Sequence, residues 1–212
     1  MTTTSRDITN AYHKPITLEC AEAIRLYAEE YSSRPEYCTG QRIYGIAVTL
    51  PVDLLNMFNE EMKKYDLPEA SINKAGIIII KRKDFHLINI NKAHVDMAAD
   101  GINPVNASIV IPVLGYKDTD MYWLKGTPRY TIDNQSTPNT GTPIKHPIWD
   151  NPDQVEIIRT EIDGPTLCRI GGPHDATSHV DGSYRVSISL RLKNNPTFEE
   201  LYEKIPSRVS IV

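Results

Sequence analysis

The sequence predicts a mainly β domain of the sandwich or barrel type. From residue 70 onward, short β-rich runs follow one another, and turn signals such as Asp100-Gly101 and Asp181-Gly182 separate them. Seven or eight short strands without helices between them are typical of sandwiches and barrels and not of a parallel α/β sheet. The predicted strands are 76–80, 85–90, 107–113, 121–124, 130–132, 155–162, 166–170 and 184–192.

Helical patterns occur in the first third of the chain and again near its last residues. Apolar residues three and four apart predict helices over 17–31 and 51–67, and the proline at the start of the second suits a first helical turn. Thr197 and Glu200 form a Thr-x-x-Glu capping box, which predicts a short closing helix over 197–205.

These elements are expected to form one domain over residues 1–212. A helical part (1–69) would pack against a β core (about 70–192), and the short helix would close the domain. The polar segment 133–152, rich in Asn, Thr and Pro, predicts a long loop. A lid over a site and simple disorder are both open interpretations of such a loop.

Composition and charge exclude several classes of protein. The net charge of −4 argues against a nucleic-acid or anionic-membrane binder. The longest apolar run, 77–80, is too short to span a bilayer, and the first residues lack the apolar core of a signal peptide. Three cysteines without close spacing (Cys20, Cys38 and Cys168) are expected to be reduced thiols, which predicts a cytoplasmic protein.

The last predicted strand alternates strictly between apolar and polar residues. One face carries Val186, Ile188, Leu190 and Leu192, and the other carries Arg185, Ser187, Ser189 and Arg191. A strand with one face in the core and one in water is one interpretation. If the polar face instead lines a cavity, its arginines need anionic partners, and a guanidinium matches a carboxylate. At about 3.3 Å per residue the two arginines lie roughly 20 Å apart, so they cannot bind the same end of a small ligand.

A His-x-Asp triplet suggests a metal site. His94 and Asp96 share one side of an extended segment, where an imidazole and a carboxylate can occupy neighbouring positions around a metal. The triplet occurs a second time, at His179 and Asp181. A site of two histidines and one carboxylate needs a further histidine downstream. His174 follows the first triplet, whereas no histidine follows the second.

This ordered set of residues resembles that of the Fe(II)- and 2-oxoglutarate-dependent dioxygenases, in particular their prolyl- and aspartyl-hydroxylase-like members. The resemblance covers roughly residues 74–192. The phrases that carry it are HVD at 94–96, NASIVIPV at 106–113, MYW at 121–123, GPTL at 164–167, PH at 173–174 and RVSISLR at 185–191.

The resemblance implies a double-stranded β-helix, a cupin-like jelly-roll, with the helices packed against it. It implies that His94, Asp96 and His174 are catalytic residues that bind Fe(II). Arg185 would then pair with the far carboxylate of 2-oxoglutarate, and Arg191 with a carboxylate of the cosubstrate or with the substrate. The implied activity consumes O2 and decarboxylates 2-oxoglutarate to succinate, coupled to hydroxylation of an unidentified substrate, either a prolyl or aspartyl side chain of a protein or a small metabolite.

Two questions stay open at this point. The residues after His174 (Asp-Ala-Thr) depart from the family's usual pattern, which leaves His179 as an alternative distal ligand. A non-catalytic jelly-roll domain for binding or structure, and a cupin-like metal isomerase or hydrolase, are the alternative functions.

Overall fold

The computed structural model describes residues 11–34, 42–81, 88–91, 93–98, 101–131, 135–136, 143–179 and 184–208. Cys38, Asp181 and the first half of the predicted strand 85–90 lie outside these ranges, and residues 88–90 are not in a strand. The helices are α1 (Ala21–Ser32), α2 (Val52–Lys64) and α3 (Phe198–Lys204), and Pro152–Gln154 form a 3-10 turn.

The strands, in chain order, are β1 (His13–Pro15), β2 (Arg42–Val48), β3 (Ala70–Lys81), β4 (Val95–Asp96), β5 (Ala107–Leu114), β6 (Thr119–Lys125), β7 (Arg129–Tyr130), β8 (Gln135–Ser136), β9 (Pro143–Lys145), β10 (Pro147–Ile148), β11 (Glu156–Glu161), β12 (Thr166–Arg169), β13 (His174–Ser178) and β14 (Tyr184–Leu192).

The fold is mainly β and its strand pairs are antiparallel. A six-stranded sheet has the order β1-β12-β5-β14-β3-β2, and a three-stranded sheet has the order β11-β6-β13. Two smaller groups, β4-β9-β8 and β10-β7, complete the described pairing. An isolated bridge between His94 and His174 connects β4 to β13, and so joins the β4 group to the three-stranded sheet.

Two apolar clusters hold these layers together. The larger one covers the helix-facing side of the six-stranded sheet, where Ile188 and Leu190 of β14 pack with Ile24 of α1 and Phe58 of α2. The smaller one contains residues of both large sheets and therefore lies between them. Its members include Val110, Met121, Trp123 and Cys168. The helices cover one side of the larger sheet, and the second sheet covers the other.

A buried carboxylate joins the first two helices. The residue that precedes α1, Cys20, makes no side-chain capping bond. Instead, Glu61 of α2, which is 2% exposed, accepts hydrogen bonds from the backbone N–H groups of Glu19 (2.6 Å) and Cys20 (3.1 Å). The first N–H groups of a helix have no partner within the helix, and a negative charge is favourable there. The start of α1 is therefore completed by a residue of α2.

The structure agrees with many of the predicted elements. The three helices fall within or at most one residue beyond their predicted ranges, and the Thr197–Glu200 capping box is present. Cys20 and Cys168 are free thiols, as expected, and both are buried. Within the described ranges, none of the helices is long and apolar enough to cross a membrane.

Three predictions about secondary structure were wrong. The first third is not only helical, because β2 pairs with β3 at the edge of the larger sheet. The described part of the predicted loop 133–152 contains three short strands, β8, β9 and β10. Residues 174–178, which were not predicted to be extended, form β13.

Candidate functional site

The strand pairing brings together two histidines that are far apart in the sequence. The backbone N–H of His94 donates to the carbonyl oxygen of His174 and the reverse bond is also formed, both at 3.0 Å. The ring centroids lie 4.9 Å apart, with 45° between the ring planes. The β4 and β13 segments therefore present two imidazoles side by side.

The carboxylate of Asp96 completes this cluster. Its Oδ1 lies 3.7 Å from His94 Nε2, and its Oδ2 accepts a hydrogen bond of 2.8 Å from Arg191 Nη2. The side chains of both ion-pair partners are largely buried. Burial by itself would raise the pKa of the Asp96 carboxyl, but the charge of Arg191 and the two imidazoles outweigh it, and the pKa is lowered. Asp96 is therefore an ionised carboxylate at neutral pH.

The ring of His174 is held in a form suited to binding a metal. Nδ1 lies 2.9 Å from the carbonyl oxygen of Gly172, so Nδ1 carries the proton and Nε2 keeps a free lone pair. Burial, followed by the neighbouring His94, lowers the pKa of His174 to about 4. The imidazole is therefore neutral at pH 7, as a metal ligand must be.

The donor types fit ferrous iron, but the side chains are less closely grouped than the ligands of a bound ion. Within the ranges that the structure describes, no three His, Cys, Asp or Glu side chains are grouped as the ligands of a metal ion are. Two ligands at about 2.1 Å from an ion and at a right angle would lie about 3 Å apart. His94 Nε2 and Asp96 Oδ1 lie 3.7 Å apart, so they would have to approach each other for an ion to bind.

Arg185 is a buried cation with unpaired nitrogen atoms. The residue is 3% exposed, and its Nε and Nη1 atoms have no hydrogen-bond partner among the described residues. Burial lowers the pKa of the guanidinium, yet arginine remains charged in proteins. The carboxylates of Asp175 and Asp120 partly offset the burial of this charge, but Nε and Nη1 remain without a hydrogen bond, so an anion that accepted from them would be favourable.

The polar face of β14 lies between the two large sheets and not in water. Ser187 and Ser189 lie on the same face of the strand as Arg185, and both are buried. Ser189 exchanges a hydrogen bond with Ser108 of the neighbouring β5. The interpretation of β14 as a strand with one solvent-exposed face is therefore wrong, and the interpretation as the wall of a polar interior holds.

The other candidate side chains lie elsewhere. His179 Nε2 lies 3.3 Å from Asp120 Oδ2, and the His179 side chain is about half exposed. Of the two histidines considered as the distal ligand, His174 lies next to His94, whereas His179 pairs with Asp120. The observed partner of Arg191 is Asp96, a contact that the sequence reasoning missed because it depends on how β14 and β4 lie in space.

Neither a protein-family model nor a curated protein sequence matches this chain.

Proposed function

We propose that this protein is an Fe(II)- and 2-oxoglutarate-dependent oxygenase. The observation that carries the proposal is the position of Arg185, a buried cation with unpaired nitrogen atoms. It lies on the same face of β14 as Arg191, which contacts Asp96 beside His94. An anion bound at Arg185 would therefore lie in the same polar interior as the two-histidine, one-carboxylate cluster.

The order of the strands supports a double-stranded β-helix. The chain alternates between the two layers: β3 lies in the larger sheet, β4 next to the smaller, β5 in the larger, and β6 and β11 in the smaller. It then returns to the larger sheet with β12, to the smaller with β13 and to the larger with β14. Such alternation between two facing antiparallel sheets is what a jelly-roll requires.

Each side chain has a defined task in the proposed site. His94, Asp96 and His174 would hold Fe(II), and Arg185 would bind the far carboxylate of 2-oxoglutarate. When bound, the iron and the cosubstrate supply the oxidising chemistry, with succinate and CO2 as the cosubstrate's products. Arg191 keeps Asp96 ionised and oriented, while the apolar cluster around Trp123 excludes water from the interior.

A non-catalytic binding domain is the competing function. The ion pair between Arg191 and Asp96 favours it, because one carboxylate oxygen already has a cationic partner. In that case Arg185 would bind an organic anion without any metal.

Anaerobic titration of the protein with Fe(II) and 2-oxoglutarate separates these functions. The chelated cosubstrate should give a weak visible charge-transfer band in the wild type, and Asp96→Ala should abolish it. Asp153→Ala, which changes an exposed aspartate in the 3-10 turn, is the matched control and should keep the band. Absence of the band in the wild type would refute the oxygenase.

Succinate release in air tests the reaction itself. A cupin-like isomerase or hydrolase would retain a metal but would not consume 2-oxoglutarate. Release of succinate by the wild type and its loss in Asp96→Ala are therefore expected only of the oxygenase.

A further inference from the structure

The strand β9 pairs with β4, the strand that carries Asp96. In this antiparallel pair Val95 lies opposite Lys145. The backbone N–H of Met97 donates to the carbonyl oxygen of Pro143 at 2.9 Å. Hydrogen-bonded positions recur at every second residue of an antiparallel ladder. The register therefore makes 95 with 145, and then 93 with 147, the positions where the next hydrogen bonds between these strands are expected.

The ladder cannot continue to residues 93 and 147, because residue 147 is a proline. Pro147 has no backbone N–H and so cannot donate to the carbonyl oxygen of Ala93. The preceding residue supplies a donor instead, since His146 Nδ1 lies 2.9 Å from this oxygen. A carbonyl oxygen can only accept, so Nδ1 carries the proton. Ala93 is 0% exposed, and a buried carbonyl group left without a donor would be costly.

The backbone of His146 is held from its other side by Thr131. The His146 N–H donates to Thr131 Oγ1 at 3.2 Å, and the Thr131 N–H donates to the His146 carbonyl oxygen at 3.1 Å. The imidazole of His146 therefore connects the residue that follows β7 to the peptide that precedes His94.

We infer that His146 is a positioning residue of the proposed metal site, and that it acts by fixing the peptide group between Ala93 and His94. The carbonyl oxygen of this group accepts from the His146 ring, and its N–H donates to the carbonyl oxygen of His174 at 3.0 Å. Both ends of the group that leads into His94 are thus held. The inference rests on the proposed function for the role of His94 as a metal ligand, whereas the hydrogen bond of His146 is independent of it.

The direction of the His94 side chain matters because its ring has to approach Asp96 when an ion binds. His94 Nε2 and Asp96 Oδ1 lie 3.7 Å apart, which exceeds the separation of about 3 Å for neighbouring ligands of one ion. A peptide group that could turn freely would let this gap widen. Residues that orient the ligands of a metal typically change its affinity about 10- to 100-fold.

The tautomer of His146 in the metal-free protein is the first test. Nuclear magnetic resonance of the ring nitrogens at pH 8, where an ordinary imidazole with a pKa of about 6.5 is neutral, distinguishes the two tautomers. We expect the Nδ1–H form for His146, with its signals assigned by their loss in His146→Asn. The Nε2–H form would overturn the inference. This measurement does not require that a variant without the donor folds.

Metal affinity in two variants of His146 is the second test. His146→Asn keeps a donor, because the asparagine Nδ2 takes the place of Nδ1, whereas His146→Leu keeps the bulk without a donor. Co(II) is titrated in competition with a fluorescent indicator. We expect it to bind about tenfold more weakly to His146→Leu than to the wild type, and within about threefold of the wild type to His146→Asn.

Thr131→Val is the matched control. It removes the bond from the His146 N–H to Thr131 Oγ1 but leaves the donor to Ala93 and the Thr131 N–H in place. Co(II) should bind to this variant within about threefold of the wild type. Equal losses in His146→Leu and Thr131→Val would show that both bonds merely hold the segment, and equal losses in His146→Leu and His146→Asn would show that the donor is not what matters. Either result, or no loss at all, would overturn the inference.

Co(II) binding needs neither 2-oxoglutarate nor O2, so this inference can fail separately from the proposed function. The expected order of Co(II) affinities without a charge-transfer band from Fe(II) and 2-oxoglutarate would refute the oxygenase but keep the role of His146 at a metal site. A normal band with equal Co(II) affinity in all variants would refute the role of His146 alone. A wild type that binds no Co(II) and gives no band would overturn both.

Discussion

The two faces of β14 are both buried, but they differ in what they contact. Ile188 and Leu190 pack into the apolar cluster formed with the helices. Arg185, Ser187 and Ser189 face the second sheet, and Arg185 lacks partners for two of its nitrogen atoms within the described part of the chain. One face therefore stabilises the fold, whereas the other carries the energetic cost of a buried cation with unpaired nitrogen atoms, which a bound anion would reduce.

The largest effect is expected on the apolar face. Ile188→Ala deletes buried methyl and methylene groups from the cluster, and we expect the free energy of unfolding to fall by about 4 kcal/mol. Urea denaturation measures this loss. The affinity of the folded fraction for 2-oxoglutarate should stay within about threefold of wild type. A large loss of affinity would show that the two faces are not independent.

The opposite result is expected on the polar face. Arg185→Leu should weaken 2-oxoglutarate binding about 100-fold, or about 3 kcal/mol, because the carboxylate loses its cationic partner. The same substitution should raise the free energy of unfolding of the ligand-free protein by about 1 kcal/mol or more, since a buried unpaired charge is replaced by an apolar group. Anaerobic titration and urea denaturation give the two quantities. If Arg185→Leu instead destabilises the ligand-free protein, Arg185 is structural.

A smaller effect is expected at the other arginine of this strand. Arg191→Met keeps the aliphatic stem but removes the partner of Asp96. We expect iron affinity to fall about tenfold, as for other residues that orient a metal ligand, and 2-oxoglutarate affinity at saturating iron to change little. Arg159→Met, at an arginine that pairs with Asp120 on the other sheet, is the control. A selective loss of 2-oxoglutarate affinity in Arg191→Met would instead show that Arg191 binds the cosubstrate directly.

The smallest effect concerns His13, which lies opposite Cys168 in the sheet register. Both of its ring nitrogens are buried without a partner in the described ranges, and burial lowers the pKa of its imidazole. The unfolded chain therefore binds the proton more readily, and stability should fall as the pH drops below about 6.5.

His13→Phe should remove this component of the pH dependence. Between pH 7.5 and 5.5 the wild type should lose up to about 1.4 kcal/mol more than the variant. Urea denaturation at the two pH values measures the difference. Equal losses would mean that folding does not lower the pKa of His13.

Local sequence signals were enough to predict several elements of the fold. The capping box at Thr197 and Glu200 predicted α3, and the alternation of β14 predicted its two faces. β13 could not be predicted in this way, because only one of its five residues (His-Asp-Ala-Thr-Ser), the threonine, favours strands, and their extended form depends on pairing with β6. Where the residues themselves have only a weak preference for a strand, pairing with a neighbouring strand therefore determines the secondary structure.

The candidate site, like the fold, could be predicted from the sequence only in part. The sequence order of His94, Asp96 and His174 suggested that they belong together, and the bridge between β4 and β13 places the two histidines side by side. The ion pair between Arg191 and Asp96 and the missing partners of Arg185 could not be predicted. Both depend on which strands lie next to each other, and the alternation within a strand carries no such information.

The capping of α1 by Glu61 has a consequence for how the molecule opens. The amide protons of Glu19 and Cys20 are bonded to an acceptor on α2, so they exchange with deuterated water only when the contact between α2 and the start of α1 opens. The two helices should therefore unfold as one cooperative unit in native-state hydrogen exchange.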